Sequence, residues 1–125
     1  MQITIKTIPH ADQRYPTVGD WVFVDDNNLQ IRVSDLGDRR YNALVAVHEL
    51  VEALLCQHRG ITTEMVDAFD MAYEAKRPEG NTDEPGNDPN CPCLKEHEFA
   101  TTVEMLLAEE LGVDWGTYDD AVTAL

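Results

Sequence analysis

The chain has 125 residues, of which 43% are hydrophobic, and it carries a formal net charge of −15. This length supports one domain, residues 1–125, with a single core, and the hydrophobic fraction predicts a folded globule. The strong negative charge argues against direct binding to nucleic acids or to anionic membranes, and favours divalent cations or a basic protein partner. No apolar run approaches the ~18 residues of a membrane-spanning helix.

The beginning of the chain and its cysteines bear on location. The segment Met1–Lys6 has none of the features of a signal peptide. The chain has three cysteines, an odd number that is typical of a reducing compartment. We therefore expect a cytoplasmic protein.

Residues 1–41 are predicted to be β-rich. Ile3 and Ile5 alternate with polar residues, as in a short strand. Two further apolar segments, 21–24 and 29–33, flank Asp25-Asp26-Asn27-Asn28, and such Asx-rich sequences favour a tight hairpin turn. We expect a small antiparallel sheet.

Residues 42–125 are predicted to be helical. Apolar spacing and capping residues predict helices over 42–59, 63–76 and 94–111, with a short fourth helix from residue 117. The loop 77–93 contains four of the six prolines, and long loops of this kind are usually functional or mobile. The fold class expected is α+β, with the small N-terminal sheet packed on three to four helices.

The most informative motif is His48-Glu49-Leu50-Val51-Glu52, in the helix predicted to start at an Asn42 N-cap. Residues four apart share one face of a helix, so His48 and Glu52 could hold one metal ion together. Glu49 lies where a general base acting on a metal-bound water is needed. The structural alternative is a His–Glu pair at the edge of the core, which satisfies itself without a metal.

A third metal ligand is expected from the helix 94–111. His97 and Glu104 are seven residues apart, nearly two turns, and so lie along one face. Catalytic zinc sites usually take three protein ligands, so His97 would complete the set. Glu104 is the alternative third ligand, or a residue that orients one of the histidines. A solvated position for His97 in the charged helix start Lys95–Glu98 is equally compatible with the sequence.

The order of hairpin, short connector and helix with a central His-Glu pair resembles the zincin metallopeptidases, whose signature is H-E-x-x-H. The resemblance covers residues 30–59, with Glu52 at the position of the second histidine. It implies that His48 is a zinc ligand, Glu49 the base and Glu52 the second ligand, with a residue on a later helix completing the site. The implied activity is metal-dependent hydrolysis of a peptide or a small molecule. Because Glu52 is anionic, manganese or iron is an alternative to zinc.

Three other interpretations stay open. Glu49 and Glu52 followed by Glu64 and Asp67 resemble the paired acidic motifs of MazG-like nucleotide pyrophosphatases, which are helical throughout and bind magnesium.

A second interpretation places thiols on a metal, with Cys56 near His48 and with Cys91 and Cys93 before His97. The sequence agrees better with Cys56 as a core residue and with the other two as loop thiols. The third is a non-catalytic acidic binding or regulatory protein, a type that phages encode.

Overall fold

The computed structural model describes residues 1–125 and has an α+β architecture, which confirms the predicted class. Three strands and four α-helices follow one another along the chain, with single 3-10 turns at His10–Asp12 and Pro85–Asn87. The strands and helices are β1 (Gln2–Ile8), β2 (Gly19–Asp25), β3 (Asn28–Ser34), α1 (Arg39–His58), α2 (Thr63–Ala75), α3 (Leu94–Glu110) and α4 (Trp115–Thr123).

The sheet has the order β1-β3-β2 and is mixed. Strands β2 and β3 form the predicted antiparallel hairpin, but β1 runs parallel to β3, with Ile3 opposite Leu29 and Ile5 opposite Ile31. The expectation of a wholly antiparallel sheet was therefore wrong for β1. The reason is that β1 pairs with β3 and not with β2, which follows it in the chain. The connection from β1 to β2 therefore crosses to the opposite edge of the sheet.

The core lies between one face of the sheet and helix α1. Leu29, Ile31 and Val33 point from β3 into this core, and each is at most 1% exposed. Helix α1 packs on β2 and β3 and also runs along α3. Helix α1 is thus the central element of the fold, and its polar residues are held between the sheet and α3.

Helix α1 begins three residues before the predicted start. Asp38 is its N-cap and accepts a hydrogen bond from the backbone N–H of Arg40, so the predicted Asn42 cap was wrong. The Asn42 side chain instead accepts a hydrogen bond from the backbone N–H of Leu36. Asn42 thereby stabilises the connector that leads from β3 into α1.

Helix α2 matches the predicted range to within one residue, but the stripe expected to be buried (Met65, Phe69, Ala72, Tyr73) was partly wrong. Met65 is 46% exposed, and Ala72 is exposed as well. The face turned inward carries Thr63 and Val66 instead. The difference arises because α2 lies at the rim of the molecule, where it contacts β2 and the 3-10 turn of the long loop.

The loop 77–93 is folded against the helices. Its turn Pro85–Asn87 contacts both α2 and α3. Cys91 and Cys93 are loop thiols, as expected, and both are buried, with their Sγ atoms 2.7 Å apart. Cys56 is buried in the core. None of the helices combines the length and the apolar character that crossing a bilayer requires.

Candidate metal centre

Three side-chain atoms from two helices lie within 3.2 Å of one another. On α1, His48 Nε2 lies 3.2 Å from Glu52 Oε2. On α3, His97 Nδ1 lies 3.1 Å from His48 Nε2 and 3.0 Å from Glu52 Oε2. The three atoms form a nearly equilateral triangle, and all three side chains are buried. The structure therefore brings together the three residues that the sequence suggested as metal ligands.

The helix packing explains how this triangle forms. His48 and Glu52 are one turn apart on the face of α1 that packs against α3. Helix α3 packs along this face, and Ala100, three residues after His97, is fully buried. The close packing of the two helices lets His97 reach His48 and Glu52. The exposed position considered for His97 was wrong, because this residue is only 7% exposed.

Hydrogen bonds alone cannot account for all three contacts of this triangle. An imidazole nitrogen either carries one hydrogen or accepts one, so at most two of the three contacts can be hydrogen bonds. The third contact then leaves two N–H groups, or two lone pairs, facing each other. A cation at the centre of the site would instead accept a lone pair from each of the three atoms.

The spacing of the three atoms agrees with a tetrahedral metal site. Nitrogen and oxygen ligands lie about 2.0–2.1 Å from zinc. Two corners of such a tetrahedron are roughly 3.3 Å apart, close to the observed separations of 3.0–3.2 Å. The residues present therefore fit a metal that takes three protein ligands and keeps a fourth position open.

The outward nitrogen of each histidine faces a carboxylate. His48 Nδ1 is 2.8 Å from Glu104 Oε1, and Tyr118 on α4 donates its hydroxyl hydrogen to the other oxygen of Glu104. His97 Nε2 is 2.8 Å from Glu84 Oε2 in the long loop, an ion-pair distance although the direction is poor for a hydrogen bond. A carboxylate on the far nitrogen holds the proton there and keeps the near nitrogen free to bind a metal.

The charges of the triangle stabilise one another. Burial alone would lower the pKa of His48, but hydrogen bonds to Glu104 and Glu52 raise it well above its usual value. Burial opposes the charged form of His97 too, yet the carboxylates of Glu52 and Glu84 raise its pKa to about 9. Burial would raise the pKa of Glu52, but the two imidazoles lower it. The metal-free site thus favours an anionic Glu52 beside protonated imidazoles, so a metal would displace protons from His48 Nε2 and His97 Nδ1 when it binds.

Glu49 is half-buried and lies beside the triangle without joining it. The start of β2 packs directly on it, since a Cβ built on Gly19 would stand only 2.7 Å from Glu49 Oε1. Removal from solvent and the neighbouring charge of Glu52 raise the pKa of Glu49 well above its usual value. A carboxylate with a raised pKa is a stronger base than an exposed glutamate.

The site opens into a cleft of about 360 Å³. Arg77 is the single lysine or arginine in its lining, and it is already paired with Glu74 at 2.7 Å. The lining carries ten carboxylates: Asp20, Glu49, Glu52, Asp67, Asp70, Glu74, Asp83, Glu84, Glu104 and Asp119. Three of them are paired with arginines, Asp20 and Asp67 with Arg14 and Glu74 with Arg77. Burial raises the pKa of two more, Glu49 and Asp70. The other five carboxylates exceed the two charges of a divalent metal, so the cleft stays acidic when such a metal is bound.

Several residues of the site were not suggested by the sequence. Trp21 donates its indole N–H to Glu52 Oε1 at 3.1 Å. Glu84 and Gly86 contact His97 from the long loop, and Tyr118 on α4 donates its hydroxyl hydrogen to Glu104. The sequence suggested Glu104 either as a third ligand or as a residue that orients a histidine. Its carboxylate contacts His48 Nδ1, which points away from the triangle, so Glu104 occupies the orienting position.

The fold and the site define a small α+β protein with a buried His–Glu–His donor triangle at the base of an acidic cleft. Comparisons with protein-family models, with curated proteins and with solved structures found no match to this chain. The function of the protein is therefore inferred from the residues and geometry of the site itself.

Proposed function

We propose that this protein is a metal-dependent hydrolase, of the zincin-like type that its motif resembles. His48, Glu52 and His97 hold a divalent metal, with zinc preferred over manganese. The observation that carries the proposal is the triangle of three donor atoms separated by 3.0–3.2 Å, which protons cannot satisfy. A metal that accepts all three lone pairs resolves this conflict.

Glu49 is the proposed catalytic base. A bound metal would supply Lewis acidity and would lower the pKa of a coordinated water. Glu49 lies next to the donor triangle but makes no hydrogen bond to it, so its carboxylate is available for a proton. Its raised pKa allows it to accept that proton and then to deliver it to the leaving group.

The charge of the cleft supports a neutral or cationic substrate. The carboxylates of the cleft outnumber its arginine partners, and they would repel a triphosphate or another polyanion. A peptide segment, above all one with lysine or arginine side chains, meets no such repulsion. We therefore propose a peptide or another uncharged or basic small molecule as the substrate.

The pyrophosphatase alternative has less support. Of its four acidic residues, Glu49, Glu52 and Asp67 line the cleft, whereas Glu64 is exposed and lies outside the lining. The chain also has a β-hairpin, which all-helical members of that class lack. A non-catalytic role in binding a basic protein is the alternative to consider if the site binds no metal.

The test is metal content and turnover in matched variants. Wild-type protein purified without chelators is expected to contain close to one zinc per chain by mass spectrometry, and to cleave some members of a basic fluorogenic peptide library. His48→Ala should lose the metal, and Glu49→Gln should keep the metal but lose turnover. His58→Ala, at the exposed end of the same helix, is the control and should behave as wild type.

Two results would overturn the proposal. Wild-type protein that binds neither zinc nor manganese would mean that the triangle is a structural cluster. Equal metal content in His48→Ala and wild type would show that the metal is bound elsewhere.

A further inference from the structure

The carboxylate of Glu52 is held at both of its oxygens. Oε2 faces the two imidazole nitrogens, and Oε1 accepts the indole N–H of Trp21 at 3.1 Å. Trp21 comes from β2, whereas His97 comes from α3, and Trp21 is only 4% exposed. The hydrogen bond therefore crosses from the sheet to the site and is shielded from water.

We infer that Trp21 is a positioning residue that holds Glu52 as a one-oxygen ligand and so makes the site selective for a four-coordinate metal. The inference rests on the proposed metal binding by His48, Glu52 and His97. It adds a determinant of metal choice, namely that zinc is favoured over manganese because Glu52 cannot readily offer its second oxygen.

The physical reason is the difference between the two kinds of ligand. An imidazole nitrogen offers a single donor atom, whereas a carboxylate can bind a metal through one oxygen or through both. The bond from Trp21 to Oε1 fixes the orientation of the Glu52 carboxylate. Rotating the carboxylate so that both oxygens face the metal would stretch this buried hydrogen bond, and weakened buried hydrogen bonds are disfavoured. The one-oxygen arrangement is thus the stable one.

The number of donors in turn selects the metal. Zinc is satisfied by three protein ligands and one further ligand in a tetrahedron. Manganese prefers oxygen-rich sites with six ligands. The two histidines cannot change their donor number, so Glu52 is the only one of the three protein ligands that can add a donor atom, and Trp21 restrains it.

The test replaces Trp21 by phenylalanine and uses cobalt(II) as an optical probe. Phe23→Leu is the matched control, because it removes an aromatic ring from the same strand and leaves the indole bond to Glu52 in place. Wild type and Phe23→Leu are expected to give the intense visible absorption of four-coordinate cobalt. Trp21→Phe should give the weaker bands of five or six ligands.

Metal competition gives a second readout. Loss of a residue that orients a ligand typically lowers metal affinity by 10–100-fold. Trp21→Phe is therefore expected to weaken zinc binding by roughly 10–100-fold and manganese binding by much less, so that the zinc-to-manganese preference falls. Circular dichroism and thermal melting establish that the variant is folded. If Trp21→Phe does not fold, a benzothienyl analogue at position 21 replaces the N–H by sulfur and keeps the shape of the ring.

The outcomes separate the two proposals. A folded variant with the cobalt spectrum and the zinc-to-manganese ratio of wild type would overturn the role of Trp21 and leave the metal site intact. Wild-type protein that binds neither cobalt nor zinc would overturn the proposed function itself. A changed spectrum in Phe23→Leu as well would mean that packing in β2, and not the indole bond, sets the coordination.

Discussion

Gly86 lies against the imidazole ring of His97. A Cβ built on this glycine would be 2.5 Å from His97 Cγ and 2.7 Å from His97 Cε1, separations that no side chain tolerates. Gly86 belongs to the single 3-10 turn in the long loop, whereas His97 lies on α3. The loop therefore supports one of the proposed ligands by direct contact, and it can do so only through a residue without a side chain.

Gly86→Ala should accordingly damage the site more than the fold. The added methyl must push either the loop or the His97 ring out of place, and we expect metal affinity to fall about tenfold or more. The measurement is competition against a zinc chelator, with thermal melting to monitor stability. Gly116→Ala is the control, because a Cβ there meets its nearest atom at 3.5 Å, an ordinary contact. Unchanged zinc affinity in Gly86→Ala would show that the loop does not hold His97.

Gly19→Ala, in contrast, should impair turnover and leave metal binding intact. A Cβ at this position would stand 2.7 Å from both Glu49 Oε1 and Val45 Cγ1, so the base is displaced while the three donor atoms are not touched. We expect loss of hydrolysis with one equivalent of metal retained, and a loss of about 1–3 kcal/mol of stability from overpacking. Turnover, metal content and denaturant unfolding measured on the same preparation check this. Retention of full turnover would argue against Glu49 as the base.

The sequence predicted the local parts of the site because they depend on helix periodicity. His48 and Glu52 are four residues apart on one helix, and that spacing alone places them together. The proposal of His97 required only that a later helix present a ligand to the same point. The remaining partners, such as Trp21 and Tyr118, come from distant parts of the chain, and no spacing rule relates them to His48.

The fold was predictable to a similar extent. The hairpin followed from the Asx-rich turn between two apolar segments, and helix ends agreed to within about three residues. The parallel pairing of β1 with β3 was missed, since the alternation in β1 shows which face is apolar but not which neighbour it joins. The burial of Cys91 and Cys93 was missed for the same reason, as it depends on how the long loop packs.

Glu104 is expected to strengthen metal binding without being a ligand. Its carboxylate is 2.8 Å from His48 Nδ1, and a hydrogen bond there would hold the ring and its Nδ1 proton in place when Nε2 binds a metal. Glu104→Gln should weaken zinc binding by about 10–100-fold, and Tyr118→Phe, which removes the hydroxyl on Glu104, by less. Glu110→Gln, at the exposed end of α3, serves as control. Complete loss of metal in Glu104→Gln, as severe as in His48→Ala, would instead identify Glu104 as a ligand.

Asp70 should make stability depend on pH. Burial and the nearby charges of Glu52 and Asp67 raise its pKa to about 7, although a hydrogen bond from Tyr15 opposes this. Between its unfolded pKa, near 4, and pH 7, the native state binds a proton that the unfolded state has released. Stability contributed by Asp70 is therefore present at acid pH and is lost as pH rises toward 7.

Asp70→Asn should remove this dependence, because the amide is neutral at every pH. The full shift of about 3 pH units sets an upper limit of about 4 kcal/mol, and partial solvent exposure reduces the expected gain of the variant over wild type to on the order of 2 kcal/mol at pH 8. At pH 4 the two proteins should be nearly equally stable. Urea unfolding of metal-free protein at both pH values measures the difference, with Asp26→Asn in the exposed hairpin turn as control. A gain of equal size at both pH values would mean that the carboxyl of Asp70 stays charged in the folded protein.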